Sequence, residues 1–154
     1  MKALVQRVSE GGVIVIGEKH SAEIGRGIVI LLGIKSGDTE NEINFVADKC
    51  SNLRIFEDAK EKMNLSVKDI DGEVLIISQF TLYGDAQRGN RPSFTEAERP
   101  EKAIPLYEKF ISRMKENLGP NKIKSGIFGA MMSVKIINDG PVTIMVESKT
   151  GAGK

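Results

Sequence analysis

Apolar residues along the chain fall into short runs with two different periods. Ala3 to Val8, Val13 to Ile16 and Ile28 to Ile34 are β-branched runs broken by Gly11-Gly12, Gly17 and Gly25, and they predict three strands. The stretch Gly27-Ile28-Val29-Ile30-Leu31-Leu32-Gly33 is apolar at every internal position, as expected of a strand covered on both faces. A change of period follows. Thr39 and Glu42 form the spacing of a capping box, and Ile43, Val46, Cys50 and Leu53 recur at helical intervals, which predicts a helix from about Glu40 to Leu53. Val74 to Phe80 reads as another buried strand. A second amphipathic helix begins near Pro100, carries Ile104, Tyr107, Ile111, Met114 and Leu118 along one side, and ends at Gly119-Pro120. Ser133 to Ile137 and Val142 to Val146 predict two strands around the turn Asn138-Asp139-Gly140-Pro141. Strands therefore dominate both ends, with two main helices between them. The absence of regular β–α alternation points to an α+β domain with a mostly antiparallel or mixed sheet.

Composition narrows the class further. The chain has 154 residues, 40% hydrophobic and 28% charged, which suits one globular domain with a core of its own. A single domain over residues 1–147 is expected, with the Gly- and Lys-rich stretch 148–154 as a frayed tail. One cysteine, Cys50, leaves no internal disulfide, and Met1 to Glu10 lacks the pattern of a signal peptide. No apolar run is long enough to cross a bilayer, so the expected location is cytoplasmic, without membrane contact. The net charge of +1, from 22 Lys+Arg against 21 Asp+Glu, argues against a grip on a long nucleic-acid backbone. It leaves room for contact with the end of an RNA.

The chemistry-bearing residues are few. His20 is the only histidine and stands in the polar stretch Gly17-Glu18-Lys19-His20-Ser21, the mark of a surface loop. Neither a Ser-His-Asp nor a Cys-His arrangement can be assembled, and no Cys/His cluster suggests a metal. No glycine-rich phosphate loop is present. No metal and no cofactor is expected. Catalysis, if any, must draw on backbone donors, hydroxyls or the substrate itself.

Two segments are more polar than a scaffold requires. Ser78-Gln79-Phe80-Thr81-Leu82-Tyr83-Gly84-Asp85 follows an apolar strand, where freed N–H groups can form an oxyanion pocket. A strand running into a turn, with Ser and Thr satisfying the backbone, accounts for the same pattern. In Asn138-Asp139-Gly140-Pro141-Val142-Thr143, a cis Gly140-Pro141 bond would make a rigid main-chain wall, and a trans turn between strands is the ordinary reading. Arg88-Gly89-Asn90-Arg91-Pro92-Ser93-Phe94 is basic and loop-like, suited to phosphate contact or to plain solvation.

These segments resemble the D-aminoacyl-tRNA deacylases of the bacterial and eukaryotic type. Ser78 to Leu82 and Asn138 to Thr143 look like the two motifs of that family. Gln6-Arg7-Val8, Leu31-Leu32-Gly33, Leu53 to Asp58, Lys62 to Ser66, Gly89 to Phe94 and Gly126 to Met132 follow in the family's order, so the likeness runs to about Glu147. The resemblance implies a homodimer of compact, barrel-like β-rich subunits with helices packed outside and active sites at the subunit interface. Its partner would be the 3′-terminal adenosine end of an aminoacyl-tRNA. It further implies a pocket lined by Ser78, Gln79, Phe80 and Thr81. Gly140-Pro141 would be cis and reach into the partner's pocket to exclude L side chains, Arg7 would hold that turn, and Met132 would lie on the substrate side. The family's mechanism uses backbone N–H groups near Phe80 and Thr81 and the substrate's own 2′-hydroxyl; Thr81 then positions rather than attacks. Glu61, Met131 and Gly84 depart from the family's usual residues, Gly, Asp and Ala, and the Met131 departure removes any role for an acid at that position. Two other readings stay open: a sister deacylase that edits a mischarged L-amino acid, and a non-catalytic dimeric nucleic-acid-binding module.

Overall fold

The computed structural model describes residues 1–149. Its organising element is a single long strand, β1 (Lys2–Val15), where two separate strands were expected. One edge of β1 is shared: Lys2 to Val8 pair with β3 (Gly27–Gly33), and Gly11 to Val15 pair with β2 (His20–Ile24), both antiparallel. The Gly11-Gly12 pair does not turn the chain. A Cβ on Gly11 would stand 2.9 Å from Val29 Cγ2 and one on Gly12 3.3 Å from the Ala22 carbonyl, so the glycines let neighbouring strands close on β1. His20, expected in a surface loop, opens β2 opposite Val15.

Along its other edge β1 pairs with a second long strand, β8 (Met132–Glu147), from Lys2↔Glu147 to Val15↔Met132. This too merges two expected strands. β6 (Glu73–Ser78) lies parallel to β3, and β7 (Ile123–Ser125) lies parallel to β6. The sheet is therefore mixed, ordered β2-β1-β3-β6-β7 with β8 on β1's free edge. It curls until its ends meet through side chains: the His20 ring lies 2.9 Å from the Ser125 carbonyl and Lys124 Nζ donates to the Glu23 carbonyl at 2.7 Å. The result is a nearly closed barrel. A small hairpin of β4 (Phe56–Glu57) and β5 (Met63–Leu65) sits apart.

The interiors of β3 (Ile28 to Leu32) and β6 (Val74 to Ile77) are apolar because each strand serves two cores. Ile28, Ile30, Leu32, Val74 and Ile76 face the helices, whereas Val29, Leu75 and Ile77 face the barrel interior with Val8, Val13 and Ile24. Helix α1 (Glu40–Asn52) begins at Thr39 with the expected capping box: Asn41 N–H donates to Thr39 Oγ1 and Thr39 N–H to Glu42 Oε2. Helix α2 (Pro100–Leu118) buries Ala103, Tyr107, Phe110 and Met114. Its inward stripe is thus rotated from the expected one, with Phe110 fully buried and Ile104 at 39% exposure. Tyr107 Oη donates to the Ile76 carbonyl at 3.1 Å, tying the helix to the strand that ends at the polar motif.

The described structure runs past the boundary expected from sequence. Ser148 is buried, and its Oγ accepts from the Met1 ammonium at 2.9 Å beside Asp38. The rest of the expected tail, residues 150–154, lies outside the described residues.

Candidate active site

The first polar motif stands where β6 stops. Ser78 is the last β6 residue paired with β3, and Gln79 N–H makes a final bond to the Leu32 carbonyl at 2.7 Å. The chain then turns at once into a single 3-10 turn, Phe80–Tyr83, secured by Leu82 N–H to Gln79 O and Gly84 N–H to Thr81 O. Gly33 permits this turn to lie flat on β3, since a Cβ there would meet Leu82 Cβ at 3.1 Å and the Gln79 carbonyl at 3.2 Å. At the start of such a turn the N–H groups have no earlier carbonyl to reach. Among the described residues the Phe80 and Thr81 N–H groups donate to no carbonyl outside their own turn.

The strand end, with Phe80 but not Thr81, borders a cavity of about 340 Å³. Ile77, Ser78, Gln79 and Phe80 form one side, and Phe128 to Met132 with Val134 form the other. No lining side chain is ionisable. The second wall is the loop between β7 and β8, held by a tilted contact of Phe128 on Tyr107, a turn from Ala130 N–H to Ile127 O, and a bond from Ile16 N–H to Met131 O. Met132 folds its thioether over Gly126, where a Cβ would come within 2.5 Å of the sulfur. Of the expected residues, Ser78, Gln79, Phe80 and Met132 therefore meet at one pocket. The Thr81 side chain stands outside the lining, hydrogen-bonded by the Gln79 amide. Phe80 is 55% exposed, edge-on to Phe94 with ring centroids 5.2 Å apart. The packing of Phe94 escaped the sequence reading, because an aromatic residue in a basic loop has no periodicity to place it.

The second motif is a bulge in β8. Register passes from Gln6↔Thr143 to Val8↔Asn138, so residues 139–142 have no partners on β1 and are pushed outward. Asn138 closes the bulge by accepting from Val142 N–H at 2.7 Å and donating to the Val142 carbonyl at 3.2 Å. Gly140-Pro141 is cis and both residues are exposed. Beneath it lies Arg7, buried and used twice: Nε donates to the Asp139 carbonyl at 2.8 Å and Nη1 to the Ile55 carbonyl at 2.7 Å. Ile55 was not foreseen, since a carbonyl leaves no mark in residue type.

Within the chain the two motifs stay apart. None of Arg7, Gly140 or Pro141 lines the pocket, and the six β8 steps from Met132 to Asn138 span about 20 Å. Other reactive groups lie elsewhere. Cys50 is buried on α1, and burial pushes its thiol up to about 12, leaving it protonated and unreactive near neutral pH. His20 borders a separate cavity of about 700 Å³ at the β2–β7 seam. Among the described residues no three His, Cys, Asp or Glu side chains converge as metal ligands, and no helix is long and apolar enough to cross a membrane.

Known proteins give this geometry a family. The model described as D-Tyr-tRNA(Tyr) deacylase matches residues 4–147. The chain is 52% identical over 149 residues to a D-aminoacyl-tRNA deacylase of Flavobacterium psychrophilum, covering 97% of this chain and 98% of the relative. It is 55% identical over 147 residues to a D-aminoacyl-tRNA deacylase of Carboxydothermus hydrogenoformans, covering 96% and 99%. A solved structure described as c-Myc DNA Unwinding Element Binding Protein superposes with a TM-score of 0.91 at 46% identity over 97% of this chain and 99% of that one. Another, described as a probable eukaryotic D-amino acid tRNA deacylase, reaches a TM-score of 0.82 at 16% identity over 94% and 97%, a likeness of fold alone. With both polar motifs inside the matched span, the chain belongs to the D-Tyr-tRNA(Tyr) deacylase family.

Proposed function

We propose that this deacylase hydrolyses the ester joining a D-amino acid, or glycine, to the terminal ribose of tRNA, glycyl-tRNA(Ala) included, and spares L-aminoacyl-tRNA. The observation that carries the reading is the uncharged pocket lined by Ser78, Gln79 and Phe80 where β6 ends, with no main-chain bond among the described residues from the Phe80 N–H and that of Thr81 next to it in the chain. An aminoacyl ester is already activated. Its hydrolysis needs a positioned water and donors for the oxyanion that forms when water attacks, and two N–H groups at a strand end supply the latter. With no ionisable side chain lining the pocket, the 2′-hydroxyl relays the proton: it takes one from the attacking water and passes its own to the 3′-oxygen as the acyl–O3′ bond breaks, leaving the free amino acid and the ribose diol. The Ser78 hydroxyl and the Gln79 amide orient the aminoacyl group, Met132 packs against it, and the exposed ring of Phe80 offers a face to the terminal adenine.

The chiral filter requires the second motif to meet the first, which one subunit does not achieve. We assign that meeting to a homodimer in which the Gly140-Pro141 bulge enters the partner's pocket. β8 pairs with β1 alone, and apolar residues stay exposed along the length of this two-stranded ribbon: Ile144 and Met145 towards one end, Ile137 midway, and Ile14, Ile16 and Met131 at the other end. An exposed apolar strip of this kind is suited to a second copy of the chain. The carbonyls of the bulge then face the substrate amino group, and its backbone occupies the space an L side chain would need. Glycine passes, having no side chain to reject. The site of action is the cytoplasm, where aminoacyl-tRNA is found.

Thr81→Ala tests the mechanism. Loss of a general base or nucleophile costs about 10²–10⁴ in rate, whereas a positioning hydroxyl outside the pocket costs far less. Single-turnover release from D-tyrosyl-tRNA is expected to stay within about tenfold of wild type. A loss of three orders of magnitude with the fold intact would make Thr81 a chemical participant. A second reading, a nucleic-acid-binding module without catalysis, is favoured by the name of the 46% identical structural neighbour. It predicts no release from any aminoacyl-tRNA.

A further inference from the structure

The segment Asp85 to Ser93 has no part in the pocket or the bulge, yet it is built onto the pocket's rim. Its ends are clamped by paired bonds, Asp85 N–H to Ser93 O at 2.7 Å and Ser93 N–H to Asp85 O at 2.8 Å. The neighbouring Phe94 rests edge-on against Phe80, and Gly84 makes way for it, since a Cβ there would lie 2.9 Å from Phe94 Cε1. The tip turns at Gly89, whose φ of 73° is a left-handed conformation with open space around it. All of residues 85–93 are exposed.

The loop carries Arg88 and Arg91, and among the described residues neither belongs to an ion pair. Nearby acids are committed elsewhere. Asp85 Oδ1 accepts from Gln87 N–H, Glu96 pairs with Lys35, and Glu98 accepts from Gly37 and Arg99 N–H groups. The remaining tip residues are Gln87, Asn90 and Ser93, all able to donate to phosphate oxygens, and only Ala86 and Pro92 are apolar. A surface without an apolar anchor is poorly suited to a protein partner. Forked guanidinium groups among amides and hydroxyls suit phosphate.

We propose that the hairpin 85–93 binds the sugar-phosphate backbone of the tRNA acceptor end, with Arg88 and Arg91 as its phosphate ligands. This rests on the aminoacyl-tRNA reading above and adds to it the part of the substrate that lies outside the pocket. It also accounts for RNA recognition by a chain of net charge +1: the cations that matter are two and local, and among the described residues neither is held in an ion pair. The hairpin reads no sequence, because phosphate contacts set position and carry no base information.

The test compares two substrates on the full-length protein: D-tyrosyl-tRNA, and D-tyrosyl-adenosine, which has the same ester and no phosphate. For the Arg88→Gln/Arg91→Gln double variant, KM for the tRNA is expected to rise about tenfold at low salt, and the log–log salt slope to flatten by about 1.4. Turnover of D-tyrosyl-adenosine is expected to match wild type. The Arg88→Lys/Arg91→Lys variant keeps the charge and should recover most of the salt slope. Unchanged KM and slope in the Gln variant overturn the proposal, as does an equal fall on both substrates, which would make the hairpin part of the pocket. If wild-type protein cleaves neither substrate, the deacylase reading itself fails and this proposal falls with it.

Discussion

Gly140→Ala is expected to lower kcat/KM for D-tyrosyl-tRNA by about a hundredfold, the scale set by misplacing a positioning element by about 1 Å. Gly140 has φ 139°, a region that L residues rarely adopt, and an added Cβ would stand 2.8 Å from Val142 Cγ2 and 3.0 Å from Arg7 Nη2. The bulge must therefore shift, and with it the backbone proposed to meet the substrate. Since residues 139–142 have no partners on β1, the sheet should survive and the melting temperature should change little. Steady-state release from D- and L-tyrosyl-tRNA, read beside a thermal melt, checks both halves. Unchanged activity and an unchanged D/L ratio would remove the bulge from the site.

Arg7→Ala acts one layer beneath. The guanidinium fills two acceptors at once, Asp139 O and Ile55 O, so its removal strands two carbonyls under the bulge. Hydrogen bonds from a charged donor contribute about 1.5–3 kcal/mol each, and a loss of roughly 3 kcal/mol in chemical denaturation is expected. Arg7→Lys should not restore function, because an ammonium cannot reproduce the fork that spans Asp139 and Ile55. A purely structural role would lower stability and leave the properties of the folded fraction alone. The positioning role predicts a raised KM and a smaller D/L ratio in protein that is fully folded at the assay temperature.

Much of the fold was legible wherever burial imposes a period. The two-faced apolar run of β3 was read correctly because both cores press on it, and α1 because Thr39 and Glu42 satisfy its first N–H groups. Errors arose where glycine serves close approach. Gly11-Gly12 looks like a break, yet it marks where β2 and β3 crowd β1, and pairing with β8 continues across it. β8 misled in the opposite way. Its Asp139-Gly140-Pro141 is a true turn signal, but the chain bulges and resumes pairing with the same strand. The α2 stripe was rotated because Ala103 weighs little in a hydrophobic pattern while packing tightly in the core.

The site divides along similar lines. Side chains at a strand end declare themselves by type, and Ser78, Gln79, Phe80 and Met132 do line one pocket. Thr81 has the right chemistry but stands outside the lining, held by the Gln79 amide. Backbone participants declare nothing. Donors near Phe80 and Thr81 are expected from the strand end and the family resemblance rather than from residue type, and the Ile55 carbonyl that receives Arg7 emerges only from the fold. The main-chain mechanism proposed here would leave most of its machinery hidden from residue-level reading.

The most direct measurement is release of tyrosine from matched D-tyrosyl-tRNA and L-tyrosyl-tRNA by the purified protein. Rapid release from the D ester with the L ester left intact is the predicted result. Equal release from both would contradict the chiral filter, and release from neither would contradict the deacylase account as a whole.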